Sequence, residues 1–317
     1  MIKAYFKQIF VCIVMLVPFF SQVHGQDAQF LEDTLVCLPE GSSVKLRWVI
    51  PPSAESGFIP VSFLRKNPNF TFSVDSRENV WIGFEDRLIC VDRKFAFRLS
   101  EPFRQMIQLD NGMMVFSTMF EIGFARGDEI NDSGNGLPVL PFQAFARFPQ
   151  PYAKILPFSI DSLLALTEND GKTTAYMLKS EVGENSNEPF AVRGWKKLFS
   201  VDSLIGAMTL VPGKAFGKFW FSIDNYVYVF DEVEHRFGLR AKLPAGEKIT
   251  QLAATRDHLL YATEKQVGLI GINNHQVILQ TPFPQICSRN EKLFVLFPGC
   301  MGVVEVQNID SLAKIIN

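Results

Sequence analysis

The sequence predicts an all-β fold, a β-propeller of six four-stranded blades. Three observations carry that prediction. The stretch from Phe70 to Leu99, FTFSVDSRENVWIGFEDRLICVDRKFAFRL, divides into four short strands separated by turn residues. The apolar run Val80-Trp81-Ile82 at its centre has later counterparts at Met114-Val115-Phe116, Leu163-Leu164-Ala165, Phe219-Trp220-Phe221, Leu259-Leu260-Tyr261 and Leu293-Phe294-Val295. Thirty phenylalanines against six tyrosines, in a chain that is 47% apolar, supply the side chains for stacked sheets filled by aromatic layers.

The first unit can be taken strand by strand. Phe70 to Val74 alternates apolar with polar residues, the period of a half-buried strand. Asp75-Ser76-Arg77-Glu78-Asn79 is a turn built from residues whose side chains bond the local backbone. Val80-Trp81-Ile82 ends at Gly83, Leu88 to Val91 forms a third strand, and Phe95 to Leu99 a fourth and more polar one, as expected where a blade meets water. A meander in a β-sandwich would read the same way over one unit. Repetition decides: the six centres are spaced by about 43 residues on average, within the range of propeller blades. Third strands recur at the same offset, at Val227 to Asp231, Val267 to Ile272 and Val303 to Val306. The steps vary from about 34 to about 56 residues, so the extra residues belong to loops, where function accumulates.

The segment VDSRENVWIGFEDRLICVDR, with its Asp, turn, Asn, Trp-Ile-Gly and closing Asp, resembles the repeats of the NHL and two-component-regulator propeller families. The resemblance covers about a tenth of the chain, and LDNGMMVFSTMFEIGFAR and FWFSIDNYVYVFD lack the full turn motif. It implies a repeat propeller and leaves the ligand open, because those families share a fold more than an activity.

The remaining elements follow in chain order. Residues 1–25 carry Lys3 and Lys7, an apolar run from Ile9 to Phe20 and then Ser21-Gln22-Val23-His24-Gly25, the pattern of a secretory signal peptide cut after Gly25. The run is shorter than the roughly 20 residues that span a bilayer. The expectation is a secreted or periplasmic propeller domain over residues 26–317, with no membrane span after cleavage. Within it, residues 26–69 form an N-terminal arm. Its Ser43 to Ile50 alternates cleanly and resembles an outer strand; pairing it with the last blade closes the ring and removes two unpaired sheet edges. The competing arrangement gives the last blade its own fourth strand from Leu312 to Ile316.

In the second blade, Arg126 to Gly136 is polar, acidic and glycine-rich, and Asp128, Asn131 and Asp132 are oxygen donors of the kind calcium takes. Their spacing matches neither the calcium helix-loop-helix nor a glycine-aspartate β-roll, and a solvated surface loop explains them as well. Leu137 to Phe142 and Phe148 to Tyr152 are expected to pin that loop to the body. In the third blade, Ile155 to Ile160, Ser162 to Leu166 and Thr173 to Leu178 read as strands, with Asn169-Asp170-Gly171 as a turn and Ser180 to Pro189 as a second polar insertion. Trp195 and Lys196 beyond it are either a recognition anchor or the edge packing of their own sheet. His235 reads as part of a charged strand, His258 and His275 as turn residues; no spacing among them marks a metal site. The cysteines after residue 25 are Cys37, Cys90, Cys287 and Cys300, enough for two disulfides in an oxidising compartment. Cys287 and Cys300 are separated by a strand of about five residues, on the order of 17 Å, which is beyond bonding reach. Cys37 paired with Cys300 or Cys287 would staple the arm to the last blade.

Composition narrows the partner. The whole chain carries −2, and because Lys3 and Lys7 are the only charged residues of the first 25, the remainder carries −4. That balance disfavours nucleic acid, whose binding needs clustered Lys and Arg. No nucleophile elbow, phosphate loop or zinc-protease motif is present, and no cofactor is identified. Two function classes remain. One is an exported scaffold that binds a protein, peptide or glycan through the 126–136 and 180–197 insertions. The other is a hydrolase similar to the calcium-dependent propeller lactonases and esterases, its ion held in the central channel by Glu, Asn and Asp of several blades. The innermost strands, such as Gln105 to Gln108 and Ile249 to Thr255, show Ser, Thr, Gln and apolar residues instead. Asp75, Asp110, Asp161 and Asp202 end such strands, where turn formation is their expected role.

Overall fold

The computed structural model describes residues 43–48 and 71–309, apart from 94, 109–112, 126–136, 152, 160–161, 182–190, 212–217, 272–274, 298–301 and 308. It is a six-bladed β-propeller. β1 (Ser43–Trp48) is first in the chain and last in the ring. Blade 1 holds β2 (Thr71–Val74), β3 (Val80–Phe84), β4 (Arg87–Cys90) and β5 (Phe95–Leu99). Blade 2 begins with β6 (Gln105–Gln108), β7 (Met114–Ser117) and β8 (Glu121–Ala125); β9 (Val139–Leu140) crosses back to blade 1 before β10 (Phe142–Arg147) completes it. Blade 3 is β11 (Lys154–Ser159), β12 (Ser162–Asn169), β13 (Lys172–Glu181) and β14 (Ala191–Val201). Blade 4 is β15 (Met208–Leu210), β16 (Lys218–Ile223), β17 (Tyr226–Asp231) and β18 (Arg236–Lys242). Blade 5 is β19 (Ile249–Ala254), β20 (Leu259–Thr263), β21 (Gln266–Ile270) and β22 (His275–Gln280). Blade 6 is β23 (Gln285–Arg289), β24 (Lys292–Phe297), β25 (Gly302–Gln307) and β1.

Every blade is packed on both faces, which explains why its second strand is a continuous apolar run rather than an alternating one. On β12, Leu163 and Ala165 join Ile107 and Val115 of blade 2, while Leu164 and Leu166 join Phe219 and Phe221 of blade 4. Six such apolar clusters fill the six seams, one between each pair of neighbouring blades, including Val74, Val80 and Ile82 of blade 1 against Phe294, Leu296 and Val303 of blade 6. The ring is therefore closed by core packing as well as by backbone. The backbone closure is the one expected: β1 pairs antiparallel with β25 from Ser43 opposite Gln307 to Trp48 opposite Gly302. That occupies the fourth position of blade 6, so the alternative strand from Leu312 to Ile316, itself outside the described residues, has no place to fill.

All six repeat centres fall on second strands, β3, β7, β12, β16, β20 and β24. Three details differ from expectation. His235 lies in the β17–β18 turn with φ of 48°, not in a strand, because Asp231 caps that turn by accepting the Val233 and Glu234 N–H groups. His275 opens β22 opposite Ile270 instead of ending a turn. Ser180 and Glu181 extend β13, paired with Val192 and Ala191, so the second insertion is shorter than its polarity indicated.

Blade 1 carries a fifth strand that the sequence did not announce. Val139 and Leu140 of β9 run parallel to Arg98 and Leu99 of β5. The Arg98 N–H donates to Pro138 O at 2.8 Å and the Ser100 N–H to Leu140 O at 3.0 Å. The outer edge of blade 1 is thus covered by the segment expected to pin the 126–136 loop.

Candidate functional site

The wall of the central channel is built by the innermost strands β2, β6, β11, β15, β19 and β23. Each pairs on one side only, so the backbone groups of its other edge, beside the channel, need partners. Side chains supply them. The Gln105 amide donates to Ile155 O at 2.6 Å and accepts the Ile155 N–H at 2.8 Å, joining blades 2 and 3. Gln251 Oε1 accepts the Ile286 N–H at 2.6 Å, and Ser288 Oγ donates to Ala254 O at 2.6 Å while accepting the Ala254 N–H at 3.2 Å, joining blades 5 and 6. Thr71 Oγ1 accepts the Met106 N–H between blades 1 and 2. These contacts match like ends of neighbouring strands, so the inner strands run in the same direction around the ring.

The Asp75 turn that carries the family resemblance is a structural lock. Asp75 is buried, and its Oδ1 accepts the Arg77 and Asn79 N–H groups at 2.9 and 2.8 Å. Its Oδ2 accepts Asn79 Nδ2 at 2.7 Å and Trp81 Nε1 at 3.0 Å. Burial opposes ionisation, but the bonds from Asn79, Trp81 and the two backbone N–H groups outweigh it and hold the carboxyl below its usual range. Asp92 completes the motif by accepting the Val80 N–H at 2.6 Å. Asp75, Asn79 and Asp92 of this repeat are therefore spent on one blade's own geometry. Asp202 is exposed and pairs with Lys172 at 2.7 Å; Asp110 and Asp161 lie outside the described residues.

Beside that turn a charged cluster spans the seam between blades 6 and 1. Lys292 Nζ lies 2.6 Å from Glu78 Oε2 and 3.1 Å from Glu305 Oε1, and Asn290 Nδ2 donates to Glu78 Oε1 at 3.0 Å. Glu305 is fully buried. The hydrogen bond from Lys292 lowers the pKa of Glu78, and the bond to Glu78 raises that of Lys292. Further in, Arg289 Nη2 reaches past blade 1 to Gln108 Oε1 at 3.3 Å, which also accepts the Ser76 N–H at 2.5 Å.

The residues expected to bind a partner divide. Asp128, Asn131 and Asp132 lie outside the described residues. Trp195 is a packing residue of a kind different from the edge packing expected: its Nε1 donates to Arg147 O of blade 2 at 2.6 Å, and its ring centre is 5.8 Å from that of Phe148. Lys196, next along β14, is exposed. In a meander the first-to-second and third-to-fourth connections turn at the same end. β8 and β13, the third strands of adjacent blades 2 and 3, therefore end at Ala125 and Glu181 on the same side of the ring.

The expected disulfide framework is not seen among the described cysteines. Cys90 and Cys287 carry free thiols, Cys90 enclosed in the third strand of blade 1 and Cys287 on the innermost strand of blade 6. Burial raises both thiols, that of Cys287 to about 11, so both are protonated at neutral pH. Among the described residues no disulfide is present; Cys37 and Cys300 lie outside the described residues. Among the described residues no group of three His, Cys, Asp or Glu side chains is placed to hold a metal ion, and no helix is long and apolar enough to cross a membrane.

One surface escaped sequence reasoning. The β17–β18 turn and β18 expose Val233, Phe237 and Leu239, at 80%, 45% and 62% of their full areas. Alternation of apolar residues in FGLRAK, at an outermost strand where polar residues were expected, was the available signal.

No family model matches the chain, and no curated protein does. Solved structures match in fold. Luciferin-regenerating enzyme is 12% identical over 85% of this chain and 96% of that one, with a TM-score of 0.54. An auxiliary nutrient binding protein from Bacteroides thetaiotaomicron is 9% identical over 74% and 68%, with a TM-score of 0.51. Regucalcin, a calcium-binding protein from Agrobacterium tumefaciens, is 12% identical over 74% and 88%, with a TM-score of 0.50. An enzyme, a nutrient binder and a calcium binder share this architecture, so the likeness shows the β-propeller fold and leaves the activity to the residues.

Proposed function

We propose that the chain is an exported binding scaffold for a protein, peptide or glycan partner. The observation that carries this reading is the use of the channel-wall side chains. Gln105, Gln251, Ser288 and Thr71 are spent on joining blades, and Asp75 on its turn. Large apolar side chains are exposed instead on the outer surface of blade 4, at Val233, Phe237 and Leu239. The basic and apolar pattern of residues 1–20 supports export, and the net charge supports a partner other than nucleic acid.

The competing reading is a calcium-dependent lactonase or esterase. Melting with excess calcium and with chelator, alongside hydrolysis of lactones and aryl esters and binding to peptide and glycan arrays, separates the two. The scaffold reading expects array binding, an unchanged melting temperature and no calcium-dependent hydrolysis. A rise in melting temperature with calcium together with calcium-dependent hydrolysis would overturn it.

A further inference from the structure

We infer that the outer edge of blade 4 takes an extended peptide in which apolar residues alternate with Asp or Glu, added as a fifth strand beside β18. The inference deepens the scaffold reading and rests on it.

The molecule shows strand addition at an equivalent edge. The outer strand of blade 1, β5, is covered by β9, bonded through its backbone. Among the described residues no strand pairs with the outer edge of β18, which closes its sheet in the order β15-β16-β17-β18. An uncovered strand edge is a template for another chain, and proteins ordinarily blunt it with polar side chains. β18 does the reverse on one face. Phe237 and Leu239 project to the blade 3 side, where Phe237 extends the ring cluster of Phe199, Phe221 and Phe230 at centre distances of 5.3, 5.8 and 4.9 Å. That anchors Phe237 while leaving 45% of it exposed beside a more exposed Leu239. On the other face a shallow groove of about 260 Å³ is lined by Lys218, Val229, Asp231, Arg236, Phe237 and Gly238. Gly238 contributes no side chain there, and a Cβ at that position would meet only Val229.

Charge selects the occupant. β18 carries Arg236, Arg240 and Lys242 and no acid; Arg236 pairs with Glu234 of the adjacent turn, and Lys242 lies over the Tyr226 ring at 5.1 Å, both at the exposed surface. A second copy of the same strand laid antiparallel and centred on Leu239 would set Arg236 opposite Lys242; centred on Gly238 it would set Arg236 opposite Arg240. Like charges directly opposite are destabilising, so self-pairing is disfavoured and an acidic strand is favoured. Side chains of an added strand alternate between the two faces. Its apolar residues would cover Phe237 and Leu239, and its acids would face the groove, where they would compete with Asp231 for Lys218 and with Glu234 for Arg236.

The test uses labelled octapeptides of alternating Val and Glu, or Val and Lys, with binding to the purified protein read by fluorescence anisotropy. The Val-Glu peptide should bind at least about tenfold more tightly than the Val-Lys peptide and weaken as salt rises from about 50 to about 500 mM. Leu239→Lys should cost at least about fivefold, the pair Arg236→Glu with Lys242→Glu should reverse the preference, and Gln280→Lys on the exposed end of β22 should change nothing. Melting curves confirm that each variant folds, as expected for exposed positions. Equal binding of the two peptides, or full retention of Val-Glu binding by Leu239→Lys, would overturn the inference. So would a Leu239-dependent dimer in sedimentation, which would make a second copy the occupant. Array binding that survives all these substitutions would remove the blade 4 site and leave the scaffold reading standing; absence of any array ligand would remove the scaffold reading itself.

Discussion

Blades 1 and 4 have the same four-strand meander and the same depth of core, and they finish their edges in opposite ways. Blade 1 is closed at every margin. Asp75 and Asp92 hold its first turn, Glu78 ties it to Lys292 of blade 6, and β9 covers its outer strand. In blade 4 the charged side chain of Asp231 bonds within its own sheet and turn. Lys218 pairs with Asp231 within the sheet at 2.8 Å, Asp231 caps the adjacent turn, and among the described residues no strand covers the outer edge, where apolar residues show. In a ring of similar units, one blade edge is covered and tied to its neighbour while another exposes apolar side chains.

The largest expected effect tests the closed blade. Asp75→Ala removes the acceptor of four hydrogen bonds, two of them from side chains, Asn79 and Trp81. Leaving several part-buried donors unpaired should cost about 3 kcal/mol, read as a fall in midpoint in urea at unchanged slope. Asp231→Ala in blade 4 should cost clearly less, because its turn lies at the surface and only Lys218 loses a charged partner. A loss at Asp231 equal to that at Asp75 would erase the distinction between the two blades.

A smaller effect, and one that depends on pH, is expected at the seam. The pKa of Glu78 is lowered, so its contribution is present above the ordinary glutamate value and is lost as pH falls through the lower, folded-state value. That of Lys292 is raised, so its contribution is present below the ordinary lysine value and is lost as pH rises through the folded-state value. Between those limits the pair is intact. Glu78→Gln should therefore lower the melting temperature at neutral pH, by an amount equivalent to about 1 kcal/mol or less, and the difference from the unaltered protein should shrink towards strongly acid pH. A difference that is constant from acid to neutral pH would show that packing, not the ion pair, matters at Glu78.

The two blades also differ in how far the sequence discloses them. Two-sided burial writes itself as apolar runs, which is why Leu163 to Leu166 and the other repeat centres were legible. The closing strand was legible because Ser43 to Trp48 alternates. Non-local bonds were not: nothing in the sequence near Gln105 says that its amide will meet the backbone of Ile155, or that Trp195 will donate to Arg147. β9 is two residues long between Pro138 and Pro141, too short for any period to show. The Asp75 motif was visible but its meaning was local, a turn built by one carboxylate. The bare edge of blade 4 could be suspected only by asking why an outermost strand places Phe237 and Leu239 at alternate positions.

The smallest expected change in stability belongs to Leu239. Its side chain is 62% exposed, whereas the less exposed Phe237 packs its ring on Phe199 and Phe230. Little apolar area leaves water when it folds, so Leu239→Ser should shift stability by no more than about 0.5 kcal/mol in either direction. Phe237→Ser should cost more, because that ring packs on Phe199 and Phe230 at 5.3 and 4.9 Å. Paired melting curves of the two variants decide the matter. A neutral Leu239→Ser would mean that folding does not account for a large apolar residue at this edge, leaving association as the physical reason for it. A loss approaching that of Phe237→Ser would mean that Leu239 is part of the blade 3–4 core and that the edge is less open than its exposure indicates.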